Sequence, residues 1–134
     1  MNTLSLQLVS PDKSYFVGTV EMVVIPGEEG DFSVLPDHAP LITYLRPGKL
    51  TIMIGKESKD NYFVGSGFVK VDNNNCKILV DYIKAEVELN IVETKKQLEL
   101  VMQNIENEKD ETAISRLLNK KQLLQEQEIF IEST

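Results

Sequence analysis

One cysteine, one histidine and no tryptophan occur among the 134 residues. Cys76 cannot form an internal disulfide, and we expect it to be a small, half-buried thiol within a strand. A single imidazole and a single thiol cannot supply the ligand cluster of a transition-metal site, so no metal is expected. A serine or cysteine nucleophile needs an adjacent base, and His38 is the only imidazole in the chain. No nucleophile-elbow motif lies beside it. The sequence therefore predicts a protein that is not an enzyme.

Long hydrophobic runs and clusters of basic residues are also lacking. No window approaches about 18 consecutive apolar residues, and the first residues have neither the basic flank nor the apolar run of a secretory signal. The net charge of −7 opposes binding to a phosphate backbone and direct adhesion to anionic lipid. We expect no nucleic-acid partner, and any association with a membrane would be indirect, through another protein.

Nucleotide-binding signatures are missing as well. Neither the phosphate loop nor the dinucleotide fingerprint occurs, and Gly65-Ser66-Gly67 is short and runs into another predicted strand rather than a helix. We expect these small residues to form a tight turn or a close strand crossing. The acidic pair Glu28-Glu29 is expected to be a solvated turn.

The composition changes near residue 85. All seven glycines lie at or before position 67, and all five prolines lie at or before position 47. Residues 1–85 carry a net charge of −2, whereas residues 86–134 carry −5. We therefore predict two parts with different structures, 1–85 and 86–134.

Short strands are predicted throughout residues 1–85. Leu4, Leu6 and Leu8 recur with the period of two that is typical of a half-buried strand. Glycine, proline, asparagine and aspartate separate most of the further candidates, which are 15–25, 32–35, 41–45, 50–54, 62–64, 68–71 and 77–80. Closely spaced strands without an intervening helical period predict an antiparallel β-sandwich or barrel.

Residues 86–134 predict an antiparallel helical hairpin, with helices at roughly 91–107 and 112–131, so the fold class is α+β. Asn90 followed by Glu93 resembles a capping box at the first helix start. Both helices have thin apolar stripes, which we expect to dock weakly; a movable element and a static solvated arm both remain open. The stripes are Leu98, Val101, Met102 and Ile105, then Ile114, Leu117, Leu118, Leu124 and Ile131.

The segment from Gly27 to Pro40 resembles the most characteristic stretch of the ATP synthase epsilon family, G-x-x-G-x-[FL]-x-[VI]-x-P-x-H-A-P. Two spaced glycines precede a short alternating strand and a corner bracketed by Pro36 and Pro40, with His38 inside it. The resemblance covers essentially the whole chain. Other similar segments follow in the family's order: Val9-Ser10-Pro11, Phe16-Val17-Gly18, Arg46-Pro47-Gly48-Lys49-Leu50 and 65–71.

This resemblance implies a non-catalytic rotor subunit of a bacterial F-type ATP synthase, without a cofactor. Its β-sandwich would bind the gamma subunit and the c ring, and its hairpin would approach the alpha and beta catalytic subunits and restrain ATP hydrolysis. On the family pattern, Asp31 faces the c-ring loops and His38 lies near the gamma contact. For His38, an imidazole hydrogen-bonded to the local backbone remains the alternative.

One departure from the family concerns ATP. Some members bind ATP through I/L-D-x-x-R-A, and the aligned residues here are Leu89-Asn90-Ile91-Val92-Glu93-Thr94. Asn90 is still a competent cap, but Glu93 replaces the cation and its charge would oppose a triphosphate. We therefore expect no useful ATP binding. Only Arg116, Lys120 and Lys121 are basic in the second helix, so strong inhibition through acidic catalytic-subunit loops is not expected.

The resemblance, together with the lack of an Arg-rich transit peptide, predicts a peripheral protein on the cytoplasmic side of the bacterial inner membrane. A free-standing adaptor or chaperone-like protein, using the sandwich for one partner and the hairpin for another, is the alternative. A stoichiometric complex with a gamma subunit would distinguish the two.

Overall fold

The structure is a computed structural model that describes residues 3–55 and 58–133. The chain forms two compact units, Met1–Glu86 and Val87–Thr134. In the first unit the strands are β1 (Leu4–Val9), β2 (Ser14–Val20), β3 (Met22–Gly27), β4 (Gly30–Val34), β5 (Leu41–Leu45), β6 (Gly48–Met53), β7 (Lys59–Val64), β8 (Gly67–Asp72), β9 (Asn75–Val80) and β10 (Ile83–Ala85). A short 3-10 helix (Glu86–Glu88) follows, and then α1 (Ile91–Asn107) and α2 (Glu111–Ser133).

The strands form one sheet that divides into two halves. One half has the order β10-β7-β6-β3, with β4 also paired to β3, and the other has the order β5-β8-β9-β1-β2. The single pair Gly27 with Leu45 joins β3 to β5 and so connects the halves. Neighbouring strands are antiparallel except β1 and β9, which run parallel. The prediction of a sandwich-like β domain followed by two helices is confirmed, and the parallel pair adds to it.

One hydrophobic core lies between the two halves. The alternation predicted for β1 holds, because Leu4, Leu6 and Leu8 are at most 1% exposed. Cys76 is also only 1% exposed, so this thiol is buried rather than half-buried as expected. Burial of large aliphatic side chains is the main stabilising contribution to such a core. Its other fully buried members include Val23, Ile25, Val34, Leu50, Ile52, Val64, Val69 and Ile78.

The strand predicted at 15–25 is two strands. β2 ends at Val20 and β3 begins at Met22, and the backbone N–H of Glu21 donates to the carbonyl of Met53 at 2.8 Å. Val20 and Val23 are both buried although they are three residues apart, so the alternation of buried and exposed residues is interrupted between them. No glycine or proline marks the change: the chain bends at Glu21 as it leaves β1 and joins β6.

The predicted close crossing at Gly65-Ser66-Gly67 is present. A Cβ on Gly67 would collide with the backbone of Leu79 and Val80, so a larger side chain does not fit. The N–H of Gly65 donates to the carbonyl of Tyr82 at 2.8 Å and holds the neighbouring segments together.

In the second unit, α1 and α2 pack as an antiparallel pair. Thr94, near the start of α1, bonds Gln127 near the end of α2, and Lys95 lies 3.7 Å from Glu132. The buried apolar side chains are Val101, Leu124 and Phe130. The predicted stripes are partly wrong, since Met102 is 46% exposed and Leu118 49% exposed. Within residues 3–55 and 58–133, no helix has the length and hydrophobicity needed to cross a membrane.

Candidate partner-binding site

The hairpin between β3 and β4 carries Asp31. Gly27 pairs with Gly30, so the loop consists of only Glu28 and Glu29. Gly30 has φ of +137°, a conformation that residues with a Cβ rarely adopt, and it can therefore close this tight turn. Both glutamates are exposed, as expected for a solvated turn. The turn places Asp31 on the second residue of β4.

Arg46 fixes the position of Asp31. Its Nη2 lies 2.7 Å from Asp31 Oδ1, and its Nη1 donates to the carbonyl oxygen of Gly27 at 2.7 Å. The backbone N–H of Arg46 also donates to the carbonyl of Pro26 at 3.0 Å. One guanidinium therefore ties both ends of the hairpin loop to the segment between β5 and β6. The side chain of Asp31 is 61% exposed and that of Arg46 44% exposed, so solvent screens the ion pair.

The proline-bracketed corner follows β4. The N–H of His38 donates to the carbonyl of Leu35 at 3.2 Å and closes a turn. Asp37 within this turn has φ of +67°, in the left-handed region that aspartate and asparagine tolerate better than most residues. Pro36 and Pro40 have fixed φ angles on either side. The corner is therefore restricted at most of its backbone positions.

Asn74 holds the corner from the opposite strand pair. Its Oδ1 accepts from the N–H of Asp37, and its Nδ2 donates to Asp37 Oδ1 at 3.2 Å. Asn73 and Asn74 form the two-residue turn between β8 and β9, with φ of 49° and 62°, as a hairpin turn of this type requires. The carbonyl of Asn74 also accepts from the N–H of Ser5 at 2.9 Å. A single asparagine thus links the corner to β1, β8 and β9.

His38 is half-buried, and its Nδ1 lies 2.6 Å from the carbonyl oxygen of Ala39. Because a carbonyl only accepts, Nδ1 carries a proton in this arrangement, and in a neutral ring Nε2 is then the acceptor nitrogen. The local hydrogen bond that the sequence left as an alternative is therefore formed. It orients the ring and leaves Nε2 for another contact.

Asp31 and His38 lie at opposite ends of β4. Asp31 and Leu35 are four residue steps apart along the extended chain, about 13 Å at the usual rise per residue. The structure therefore does not bring the two predicted residues into one site. They remain two separate candidate positions: Arg46 bonds Asp31 itself, and Asn74 bonds Asp37 beside His38.

Sequence reasoning missed an exposed apolar group beside the corner. Ile42 and Tyr44 on β5 are 71% and 67% exposed, and Phe68, which pairs with Tyr44 across to β8, is 38% exposed. The signal was available in β5, because Leu41-Ile42-Thr43-Tyr44-Leu45 has large side chains on both of its faces. A strand at the surface needs only one apolar face for the core.

Metal-binding side chains are not clustered in the described part of the chain. Residues 3–55 and 58–133 contain no group of three or more His, Cys, Asp or Glu side chains able to hold a metal ion. Burial raises the pKa of Cys76 to about 12, which keeps this thiol protonated and unreactive at neutral pH.

At the helical pair, Asn90 caps α1 as predicted. Its Oδ1 accepts from the N–H groups of Val92 at 2.8 Å and Glu93 at 3.2 Å. The carboxylate of Glu93 accepts from the side-chain amide of Gln97 at 3.3 Å. The first turn of α1 therefore presents a carboxylate where the ATP-binding motif has a cation.

A buried polar pair joins the two helices. Gln127 Nε2 donates to Thr94 Oγ1 at 2.8 Å, and the two residues are only 4% and 2% exposed. A buried hydrogen bond between polar side chains favours one register of the helices, because sliding would leave both groups without this partner.

Comparison with known proteins gives a consistent result. Residues 3–86 match the family model for the beta-sandwich domain of the ATP synthase Delta/Epsilon chain. The ATP synthase epsilon chain of Maricaulis maris is 38% identical over 109 residues, 81% of this chain and 80% of that relative. The epsilon chain of Afipia carboxidovorans is 37% identical over 121 residues, 87% and 88% of the two chains.

Solved structures share the fold. A chain of the Euglena gracilis mitochondrial ATP synthase, in a structure of OSCP, F1 and c-ring, has a TM-score of 0.81 and 21% identity, and the match covers 96% of this chain and 81% of that one. A chain from the central stalk and c-ring of Tetrahymena thermophila ATP synthase has a TM-score of 0.55 and 23% identity, covering 63% and 68%.

The chain is a small protein with a β-sandwich and a pair of helices, and hydrogen bonds from residues distant in sequence hold two surface segments of the sandwich. The family match covers more than half of the chain, and the bacterial relatives align over most of it. The chain belongs to the ATP synthase delta/epsilon family and is an epsilon-type, non-catalytic subunit of the ATP synthase complex. The resemblance found in the Gly27 to Pro40 segment is thus confirmed.

Proposed function

We propose that this chain joins the gamma shaft to the c ring in the rotor of a bacterial F-type ATP synthase. Membership of the epsilon family supports this role. The two assemblies that contain chains of this fold are described as including a c-ring, and one also as a central stalk. The bacterial origin of the relatives supports a peripheral position on the cytoplasmic side of the inner membrane.

The β3–β4 hairpin is the proposed contact with the c ring. Asp31 is exposed, and Arg46 uses its Oδ1, which leaves Oδ2 to accept from a donor on a c-ring loop. Because Arg46 holds the hairpin from two sides, little conformational freedom is lost on docking. Such a contact suits a junction that transmits torque without local deformation.

The His38 corner and the neighbouring strand are the proposed contact with gamma. The observation that carries this assignment is the exposure of Ile42 and Tyr44, directly after the corner, and of Phe68, which pairs with Tyr44. Grouped apolar side chains with aromatic members are typical of the core of a stable protein interface. Gamma would cover them, and His38 Nε2 would accept a hydrogen bond at their edge.

Co-purification with gamma tests this assignment. Ile42→Asp places a charge in the exposed group without touching the core, and we expect it to abolish the stoichiometric complex. Val87→Asp is the matched control, because Val87 is 93% exposed and lies outside the sandwich. Retention of gamma by Ile42→Asp would contradict the assignment. Failure of the unmodified chain to bind gamma would favour the adaptor alternative instead.

The helical pair is the proposed regulatory arm, which restrains ATP hydrolysis by contact with the alpha and beta subunits. Only Arg116, Lys120 and Lys121 are basic in α2, so the restraint is not expected to be strong. Reconstitution of the synthase without residues 86–134 tests the role. Faster hydrolysis by a fully assembled enzyme supports it, whereas unchanged hydrolysis and proton pumping contradict it.

Regulation by ATP is not part of this proposal. The side-chain oxygen of Asn90 accepts the hydrogen bonds of the helix cap, and Glu93 adds a negative charge in the first turn of α1. Equilibrium dialysis of the purified chain is expected to detect no ATP binding at sub-millimolar concentration, and a dissociation constant in that range would contradict the expectation.

A further inference from the structure

A row of exposed side chains crosses five strands of the sheet. The register pairs Ile42 with Lys70, Lys70 with Lys77, Lys77 with Gln7, and Gln7 with Val17. All five are exposed, and Ile42 and Val17 at the two ends are 71% and 66% exposed. The row has two lysines and a glutamine in the middle and an aliphatic side chain at each end.

The neighbouring row on the same face is apolar. Tyr44 pairs with Phe68, Phe68 with Leu79, and Leu79 with Val9. Side chains two residues apart on a strand share a face, so Phe68 lies beside Lys70 and Leu79 beside Lys77. We call the two rows together the outer face. Its apolar row continues the group of Ile42, Tyr44 and Phe68 proposed to contact gamma.

The two lysines at the centre of the outer face lie directly opposite each other. Like charges in this arrangement destabilise a strand pair. Among the residues that the structure describes, neither Lys70 nor Lys77 forms an ion pair, and Asp72 on the same strand also lacks one. Asp72 lies two residues from Lys70 on the same face, so these three side chains carry a net charge of +1 in a chain whose net charge is −7.

We propose that Lys70 and Lys77 together receive a carboxylate of the gamma subunit at the centre of this contact. This inference rests on the proposed function, since gamma is the partner assigned to the outer face. One carboxylate accepting from both ammonium groups converts their repulsion into two charge-assisted hydrogen bonds. The adjacent apolar row excludes water when covered, which strengthens such bonds and fixes the register of docking.

The charge pattern also selects the partner's chemistry. An acidic chain repels an acidic partner at long range, so a local basic centre is needed for a carboxylate to approach. The partner surface expected here is an apolar stripe with an Asp or Glu within reach of its centre. A basic or wholly apolar partner surface would bury the two lysines with only the carboxylate of Asp72 beside them, and the remaining positive charge would be costly.

The test is the affinity of the full-length chain for its gamma subunit, measured by titration calorimetry at two salt concentrations. Lys70→Gln/Lys77→Gln removes both charges and keeps the side-chain length similar. We expect at least about a tenfold loss of affinity, the size of a lost charge-assisted hydrogen bond, together with a weaker salt dependence. Lys59→Gln, an exposed lysine on β7, is the matched control and should bind as the unmodified chain does.

The outcomes separate this inference from the function on which it rests. If the unmodified chain does not bind gamma, the proposed function fails. If it binds gamma and the double variant binds equally well with the same salt dependence, only the carboxylate contact is refuted. Circular dichroism checks that the exposed substitutions leave the fold intact. Inorganic phosphate is a further probe: phosphate binding by the free chain, without any effect of the variants on gamma, would mark a small-anion site and overturn the proposal.

Discussion

Asn74→Gly isolates the side-chain contribution of the residue that braces the His38 corner. Glycine adopts the left-handed conformation of Asn74 freely, so the turn between β8 and β9 and its backbone bond to Ser5 remain. The two hydrogen bonds to Asp37 are lost. At about 1 kcal/mol for each bond and with solvent nearby, we expect the free energy of unfolding to fall by about 1–2 kcal/mol.

Two further variants separate the effect of the side-chain bonds from the effect of the backbone conformation. Asn74→Ala also loses the left-handed preference, which adds about 1 kcal/mol. Asn73→Gly lies in the same turn, with φ of 49°, and should change stability by less than about 0.5 kcal/mol because no side-chain bond to the corner is removed.

Urea unfolding of the full chain measures these differences, and amide hydrogen exchange follows the N–H of Asp37 directly. In Asn74→Gly this amide should exchange faster, since its acceptor is gone, while affinity for gamma falls because a mobile corner must be ordered on binding. Unchanged stability together with unchanged exchange at Asp37 would refute the assignment of Asn74 as the brace of the corner.

Three other changes test the remaining features. Arg46→Ala should lower the free energy of unfolding by about 1 kcal/mol in urea titrations, a small loss because the ion pair is exposed. Arg46→Lys should recover only part of this loss, because an ammonium group cannot bond Asp31 and Gly27 together as the planar guanidinium does. Thr94→Val should lower the free energy of unfolding by about 1–3 kcal/mol in thermal unfolding, whereas Thr94→Ser should stay near the unmodified chain. The double variant Thr94→Val/Gln127→Leu should be less destabilised than Thr94→Val alone, and additive losses would contradict the buried pair. Native Cys76 should not react with a thiol reagent at pH 8. Folding raises the pKa of the Cys76 thiol from 9.0 to about 12, so the thiol ionises more readily in the unfolded chain. The free energy of unfolding, compared with that of Cys76→Ala, should therefore be constant below about pH 9 and fall as the pH rises toward 12.

The sequence predicts the elements of this fold well where the apolar period is clear. In β1 the alternation of Leu4, Leu6 and Leu8 is the same as the alternation of burial. The break between β2 and β3 was missed, because a strand can change partners at a residue such as Glu21 without any turn-forming residue. Which strands pair depends on the whole sheet and cannot be derived from one strand alone. The strand β10 was not predicted, because its short apolar run gives too weak a local signal.

In the helical pair, the missed residues continue the predicted stripes. Thr94 lies four residues before Leu98, and Gln127 lies three residues after Leu124, so both occupy positions facing the partner helix. They were not counted because they are polar. The period identifies a buried position more reliably than hydrophobicity does when two polar side chains satisfy each other.

The residues that position the candidate site could not be predicted from local pattern. The Asn-Asn turn between β8 and β9 is recognisable, but nothing local indicates that Asn74 reaches Asp37 across 37 positions of sequence. Arg46 likewise holds Asp31 across 15 positions. Sequence motifs located Asp31 and His38 as candidates, and only the fold identifies what holds each of them in place.

This arrangement separates the stability of the domain from the geometry of its contacts. The core consists of large aliphatic side chains, whose truncation costs about 2–5 kcal/mol each. Arg46 and Asn74 lie outside that core, and each contributes only about 1–2 kcal/mol. Substitution at either position therefore alters how a contact point is presented while leaving the domain folded. If the proposed function holds and each end of β4 meets a different partner, one contact surface can accordingly change without the other, because separate residues hold the two ends.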